Sequence, residues 1–230
     1  MIFVKHHSSP PRTLENRQKQ DTPQNPSKSW SNFNGRKELR GHLISIQKGL
    51  CAYCEIRLEN ELGYHIEHIE SKSLNPQLTF EYTNLILSCI KDGAISDNTD
   101  SNPVSCGHAT LKNRNEYDKE LFIKPTESDC EIYFSYDLFG NITPNTNLTE
   151  EQKQRAEHSI EVLNLNCKRL KRERAAILEE GYKIIKELES DVETLNNFLD
   201  LELSLINDKY FSFINLRREH FSEYLCNDEP

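Results

Sequence analysis

The residues that decide the fold are CAYCE at 51–55, YHIEHIESKS at 64–73, TNLILSC at 83–89 and CGHATLK at 106–112. Cys51 and Cys54 form a Cys-x2-Cys pair, a spacing that lets one tight turn aim both sulfurs at a single metal. Cys89 and Cys106 bring the number of thiolates to the four that a closed tetrahedral zinc site needs. The four cysteines therefore predict a structural Zn²⁺ site.

The second pair of cysteines is the weaker half of this motif. Sixteen residues separate Cys89 from Cys106, so the alternative is that both are ordinary buried thiols, a common environment for free cysteine. The chain has seven cysteines and no secretory leader, which favours a reducing cytoplasm and metal binding over a disulfide framework. Cys130, Cys167 and Cys226 are then predicted to be plain thiols.

The histidine-rich segment lies between the cysteine pairs. A strand here would place His65 and Glu67 on one face and His68 on the other. A carboxylate is a hard ligand for a divalent cation, and an imidazole can take a proton near neutral pH. Metal-assisted phosphodiester hydrolysis needs both groups. From the four residues His65 to His68 alone, an equally good interpretation is that Glu67 and His68 are surface residues of a zinc ribbon.

The order of the motifs resembles that of the HNH endonucleases, whose core is a ββα-metal fold. The matching residues are Glu67, His68, Asn84, Leu85, Cys89, Cys106, Gly107, His108 and Lys112. The text at 51–55 and 67–73 is similar more specifically to the PtuB-like HNH subunits of bacterial retron and Septu anti-phage systems. The resemblance covers about residues 35 to 145, and it implies a nuclease that works with an ATPase partner.

The resemblance also implies roles for individual residues. His68 would be the general base that activates water, and Asn84 would hold the loop that carries it. Glu67 and His108 would bind the catalytic cation, and oxygen and imidazole ligands suit Mg²⁺, Mn²⁺ or Ni²⁺. Glutamate replaces the usual aspartate, and the last histidine comes two residues after its cysteine. His65 is therefore an alternative ligand, because it shares a strand face with Glu67.

The charge of the chain bears on how a substrate would be captured. Lys72, Lys112 and Arg114 are predicted to touch phosphate, but the net charge is -9. A protein that binds nucleic acid unaided usually has a basic face. A partner is thus expected: the ATPase and, in a retron, the reverse transcriptase with its RNA–DNA product. DNA and RNA both remain open as substrates.

Two alternatives also stay open. The acidity equally suits a catalytically silent zinc-binding adaptor, although such a protein would have no chemical need for a base beside an open metal site. A basic run at 168–174 fits either a solvated helix face or a nucleic-acid patch.

The predicted fold class is α+β. Residues 1–34, rich in Pro, Ser, Asn and Gln, predict an extended arm, 35–146 the nuclease domain with its zinc site and a hairpin, and 147–230 a helical region. The hairpin is predicted at a Phe-Gly-Asn turn, and a capping box is predicted at Thr149–Gln152. No stretch approaches the roughly 20 apolar residues that span a bilayer, so we expect a cytoplasmic protein without a membrane segment.

Overall fold

The computed structural model describes residues 1–94 and 104–225, so Cys226 lies outside the described residues. These ranges contain eight α-helices and two separate two-stranded antiparallel sheets, which confirms the α+β class. The helices are α1 Arg12–Gln18, α2 Pro26–Ser31, α3 Arg36–Ile46, α4 Thr110–Arg114, α5 Glu150–Val162, α6 Lys168–Leu188, α7 Val192–Leu203 and α8 Ile214–Phe221. The strands are β1 Tyr64–His68, β2 Leu85–Cys89, β3 Phe134–Tyr136 and β4 Ile142–Pro144.

The first sheet joins the two motif strands. Strands β1 and β2 pair with Tyr64 opposite Cys89 and His68 opposite Leu85, and every residue of β2 is buried. Gln47, just after α3, closes the outer edge of β2: its Oε1 accepts from the Leu87 N–H at 2.7 Å and its Nε2 donates to the Leu87 carbonyl at 3.0 Å. The N–H of Ala52 donates to the same carbonyl at 3.1 Å, so the Cys-x2-Cys turn is attached directly to the sheet.

The N-terminal segment differs from the predicted extended arm, because it forms α1 and α2. Leu14 is fully buried and anchors α1. Asn25 caps α2, its side chain accepting from the Lys28 N–H at 3.0 Å, and Pro26 occupies the first helical position. The Pro and Asn residues that predicted an extended chain are here helix-start signals, which have the same composition.

The second sheet is the predicted hairpin. Asp137 holds its turn by accepting from the N–H groups of Phe139 at 2.9 Å and Asn141 at 2.8 Å. Gly140 has φ +75°, and a Cβ there would lie 2.2 Å from the Lys171 carbonyl oxygen, so only glycine fits. The predicted capping box is also present, with Thr149 and Gln152 bonded reciprocally at the start of α5.

One apolar core includes buried residues from all three predicted regions, among them Val4, Leu87 and Phe213. A buried polar group also connects these regions. The Glu55 carboxylate accepts from the Met1 ammonium at 2.5 Å and from the Tyr136 hydroxyl at 2.9 Å. The division of the chain at 34/35 and 146/147 stays a prediction. None of the helices in the described ranges combines the length and apolarity needed to cross a bilayer.

Candidate functional site

Four cysteine sulfurs lie together beneath the first sheet. The Sγ atoms of Cys51, Cys54, Cys89 and Cys106 are all within 4.8 Å of one another, and all four residues are buried. The Cys54 and Cys89 sulfurs are 3.7 Å apart. A tetrahedral site with Zn–S distances of about 2.3 Å places its sulfurs about 3.8 Å apart. The four cysteines therefore lie together as the sequence predicted, at a spacing that could hold a tetrahedral Zn²⁺.

Three elements bring these sulfurs together. The turn at 51–56 is closed by two backbone bonds, Glu55 N–H to the Cys51 carbonyl at 3.0 Å and Cys51 N–H to the Ile56 carbonyl at 2.9 Å. Cys89 is the last residue of β2. Cys106 has φ +59° and donates its N–H to the Leu163 carbonyl at 2.8 Å, at the end of α5.

Four ionised thiols would repel one another in this buried cluster. Burial acts to raise the pKa of the Cys51 thiol, but hydrogen bonds from Cys106, Cys54 and Cys89 hold it well below its ordinary value. Burial and the sulfurs around it raise the pKa of Cys106 well above its ordinary value, because adjacent thiolates repel. A bound metal removes this conflict, because it favours the thiolate form of every ligand.

Arg169 is a neighbour of the cluster that the sequence did not single out as part of the site. Its Nη2 donates to the Ser105 hydroxyl at 2.9 Å, and its side chain is 10% exposed. Burial acts to lower the pKa of its guanidinium, but the negative charge of Cys54, Cys89 and Cys106 raises it above its usual range. The guanidinium thus compensates part of the thiolate charge from the first turn of α6.

A second group of polar side chains lies along β1, beginning at His65, which pairs with Ser88 next to Cys89. His65 and Glu67 share one face of β1, as predicted, and His65 Nε2 is 3.2 Å from Glu67 Oε2. His65 Nδ1 donates to the Ile90 carbonyl at 2.7 Å. Burial acts to lower the pKa of His65, but the Glu67 carboxylate raises it overall. Nε2 is thus the nitrogen that a metal would take.

Three side chains in this region are close enough together to bind one metal ion. The ligand atoms of His65, Asp92 and His108 all lie within 4.8 Å of one another. The His108 Nε2 lies 3.5 Å from Asp92 Oδ1 and has no hydrogen-bond partner in the described structure. Burial and the nearby His65 lower the pKa of His108, so its ring is neutral and able to bind a metal. Two imidazoles and a carboxylate with open positions suit a divalent transition metal such as Mn²⁺.

Glu67, a predicted ligand, stands next to this cluster and is engaged elsewhere. Its Oε1 is paired with Lys112 Nζ at 3.0 Å. Burial acts to raise the pKa of Glu67, but Lys112 and His65 lower it to about 2. A Cβ on Gly107 would lie 2.8 Å from Glu67 Oε2 and 2.9 Å from His65 Nε2. Gly107 therefore lets the backbone between Cys106 and His108 pass close to the Glu67 and His65 side chains.

His68, the predicted general base, is buried at the end of β1. Its Nε2 lies 3.0 Å from the Thr79 carbonyl oxygen, so Nε2 carries the proton and Nδ1 has the free lone pair. Burial and the Lys72 charge lower the pKa of His68 to about 4, which keeps the ring neutral at pH 7. The ring of Trp30, from α2, packs edge-on against it at a centroid distance of 4.6 Å.

Asn84 lies where its predicted role requires. Its Nδ2 donates to the carbonyls of Glu70 at 3.0 Å and Leu78 at 3.1 Å, and its Oδ1 accepts from the Glu70 N–H at 2.7 Å. One side chain thus ties together both ends of the loop that follows His68 and contains Lys72. Its effect on catalysis stays a prediction.

The candidate ligands of the catalytic cation and His68, but not Asn84, line one cleft of about 240 Å³. Lys112 lies at its floor, 3% exposed, where Nζ also donates to the His68 carbonyl at 3.4 Å. Lys72 is on the wall, whereas Arg114 is exposed on α4 and does not line the described cleft. The lining includes Trp30, His65, Glu67, His68, Lys72, Asp92, His108 and Lys112.

Known proteins with similar sequences indicate the family of this chain. No family model matches it. Over 197 residues it is 30% identical to the HNH endonuclease assigned to retron Vc95 of Vibrio cholerae serotype O1 biovar El Tor, covering 83% of this chain and 89% of that protein. The chain belongs to the retron HNH endonuclease family.

Two further relatives agree with this membership. The HNH endonuclease assigned to retron Ec83 of Escherichia coli is 30% identical over 186 residues, 67% of this chain and 72% of that protein. The Septu protein PtuB of Bacillus thuringiensis is 27% identical over 205 residues, 86% of this chain and 66% of that protein. The resemblance to retron- and Septu-type HNH proteins drawn from the motifs is confirmed.

Three residues of this retron-type HNH chain were missed as site residues by sequence reasoning. Asp92 follows β2 in a loop, and an isolated loop carboxylate carries no distinctive signal. Trp30 lies in the segment 1–34 that predicted an extended arm, although a lone tryptophan in a polar segment could have pointed to a site wall. Arg169 was one of five basic residues between 168 and 174, which periodicity alone could not tell apart.

Proposed function

We propose that this chain is a metal-dependent HNH endonuclease that hydrolyses phosphodiester bonds in nucleic acid. The observation that carries the proposal is the state of His68. Its Nε2 is held by the Thr79 carbonyl, and its neutral ring therefore offers Nδ1 as a base in the cleft that contains the His65, Asp92 and His108 cluster.

In this mechanism His68 Nδ1 takes the proton of the attacking water, and the Thr79 contact keeps the ring in the required tautomer. His108, with Asp92 and either His65 or Glu67, would hold the catalytic cation. When bound, Mg²⁺, Mn²⁺ or Ni²⁺ would polarise the scissile phosphate and stabilise the leaving oxygen. Asn84 keeps the loop after His68 in place.

The cationic side chains would take different parts. Lys112 is buried against Glu67, so it fixes that carboxylate and contributes a positive charge at the floor of the cleft. Lys72 is placed to contact the substrate phosphate from the wall. Arg114, exposed on α4, would contact phosphate only beyond the cleft.

The second metal is structural. We propose that Cys51, Cys54, Cys89 and Cys106 hold Zn²⁺ and that this staple, with the β1–β2 pair and α4, forms a ββα-metal core. The support is the mutual distance of the four sulfurs and their full burial. Thiolates select Zn²⁺, whereas the histidine and carboxylate group suits the catalytic cation, so the two sites would not compete for one ion.

For the biological role we propose an effector subunit of a bacterial anti-phage defence system, acting in the cytoplasm beside an ATPase. In a retron the reverse transcriptase and its RNA–DNA product would join this complex. The support is the kinship with retron and Septu proteins and the net charge of -9, which leaves substrate capture partly to a partner.

The test is cleavage of supercoiled plasmid and of total cellular RNA in Mg²⁺ or Mn²⁺, with and without the co-purified ATPase. Wild type should cut at least one pool, and His68→Ala should lower the rate by about 10²-fold or more, because a positioned base contributes about that much. His7→Ala, an exposed histidine outside the cleft, is the matched control and should cut like wild type. If wild type cuts neither pool while it retains zinc and its partner, the chain is the adaptor instead.

A further inference from the structure

A second groove, distinct from the catalytic cleft, lies between the loop after the zinc knuckle and the start of α6. It has a volume of about 750 Å³ and shares no lining residue with the described cleft. Its walls are the segment 56–62, the first two turns of α6 and Ser212, which precedes α8. Part of the basic run at 168–174 therefore lines a concave surface instead of a flat helix face.

The groove concentrates positive charge on an acidic protein. Four cations line it, Arg57, Lys168, Arg169 and Arg172, against two carboxylates, Glu61 and Glu173. Glu173 lies 3.5 Å from Arg169, so these two offset each other. The net charge of the lining is positive, although that of the chain is -9.

Two of these cations are available to a ligand. The guanidinium of Arg57 rests over the ring of Phe211 at 5.2 Å from its centroid, and Arg172 is exposed on α6. Neither forms an ion pair with a carboxylate in the described part of the chain. An aromatic face orients a guanidinium but leaves its charge uncompensated, so its N–H donors still favour an anion.

The groove is also close to the catalytic strand. Leu62 lines the groove and comes three residues before His65, so the two Cα atoms are at most about 11 Å apart. Ten base pairs of a duplex extend about 34 Å. The separation between Leu62 and His65 is therefore well within the length of one short nucleic acid.

We propose that this groove binds backbone phosphates of the nucleic acid on one side of the scissile bond, with Arg57 and Arg172 as the principal contacts. The inference rests on the proposed nuclease function and extends it. Guanidinium groups bind phosphate oxygens in a bidentate way, and Asn60 and Ser212 line the same groove with neutral polar groups. Proximity to the catalytic strand favours nucleic acid over an acidic partner protein as the occupant.

The test measures binding separately from cleavage. In a His68→Ala background, fluorescence anisotropy with a labelled DNA duplex of about 20 base pairs, and with an RNA of the same length, is recorded from about 50 to 200 mM salt. Arg57→Glu with Arg172→Glu should weaken binding of the preferred probe by about tenfold or more, and the slope of log K against log salt should fall by about 2. The milder pair Arg57→Gln with Arg172→Gln should shift both in the same direction.

The matched control is Lys183→Glu with Lys186→Glu, which makes the same charge change on exposed positions of the same helix outside the groove. The proposal is overturned if the groove and control variants bind alike, or if the His68→Ala parent binds neither probe. It is also overturned if the groove variant binds normally but loses the co-purified ATPase, since the groove would then dock a protein.

A small substrate separates the two proposals. With His68 intact, the groove variant should hydrolyse bis(p-nitrophenyl) phosphate like wild type, because this molecule is too small to occupy both places. If wild type hydrolyses neither this compound nor nucleic acid while the groove variant still loses binding, the proposed function fails and the groove stands.

Discussion

His65 and His68 lie three residues apart, yet their surroundings shift their pKa values in opposite directions. Burial, with the charge of Lys72, lowers the pKa of His68 to about 4. His65 is also buried, but the Glu67 carboxylate raises its pKa. At pH 7 the His68 ring is therefore neutral, whereas His65 holds a proton more tightly, because its Nε2 lies 3.2 Å from Glu67 Oε2. The alternation of β1 places His65 and Glu67 on the same face.

Gly107 offers a test of this crowded site. Gly107→Ala places a methyl group within 3 Å of Glu67 Oε2 and His65 Nε2, so these side chains must move. We expect plasmid cleavage to fall by about tenfold or more, because small misplacements of catalytic groups cost up to about 10²-fold. Gly41→Ala is the matched control: nothing lies within 4 Å of its Cβ, and cleavage should not change. Equal activity of the two variants would contradict the packing described for Gly107.

Lys112 and Glu67 form a buried ion pair whose separate removal should be costly. Lys112→Met leaves the Glu67 carboxylate buried without its main partner, and we expect the free energy of unfolding to fall by about 3–5 kcal/mol. The double variant Lys112→Met with Glu67→Gln removes both charges and should recover part of that loss. Urea unfolding at pH 7 measures both. A single variant as stable as wild type would mean that the pair does not form.

The four-cysteine cluster is assembled by elements from three separate places in the chain. The knuckle is attached to the edge of β2 through Ala52 and Leu87, and Cys106 is attached to the end of α5 through Leu163. The segment between β2 and Cys106 has no described strand or helix over residues 90–94 and 104–105. A metal bound by the four cysteines, as proposed, would replace the packing that a longer element would supply.

Loss of one thiolate should accordingly unfold this region. Cys51→Ser should lose bound zinc and lower the melting temperature strongly, because structural Zn²⁺ contributes about 10–16 kcal/mol to folding in small zinc domains. Cys130→Ala is the matched control, since Cys130 is a buried free thiol whose pKa is raised to about 12 by burial, outside the cluster. Zinc content by mass spectrometry and thermal melting are the measurements. Full zinc and an unchanged melt in Cys51→Ser would contradict the four-thiolate site.

At the scale of the whole molecule, the three predicted regions share polar contacts as well as one core. Glu55, beside the zinc knuckle, accepts from Met1, from Tyr136 of β3 and from the Asn215 N–H at 2.9 Å in α8. The ring of Trp30 in α2 makes a further contact between these regions, packing edge-on against His68. The N-terminal helices thus contact the end of β1, and α8 contacts the knuckle, although neither region contains a motif residue.

How far the sequence could be read differs between the fold and the site. The hairpin and the α5 capping box follow from local signals, namely a Phe-Gly-Asn turn and a Thr-x-x-Gln pair. The first two helices were missed, because the Pro and Asn residues that start α2 also predict extended chain, and the burial of Leu14 that anchors α1 is a tertiary contact.

The motif order, and with it the family, the set of four cysteines and the choice of His68 as candidate base, could be read along the chain, because ligand chemistry and spacing are local properties. Only the packing of the fold shows that Asp92 joins His65 and His108, that Lys112 is paired with Glu67, and that Arg169 lies near the cysteine cluster. It also gathered Arg57 and Arg172 into one groove, although 115 positions separate them in the chain. Distances across a fold depend on how buried surfaces pack, and no periodicity along the chain encodes them.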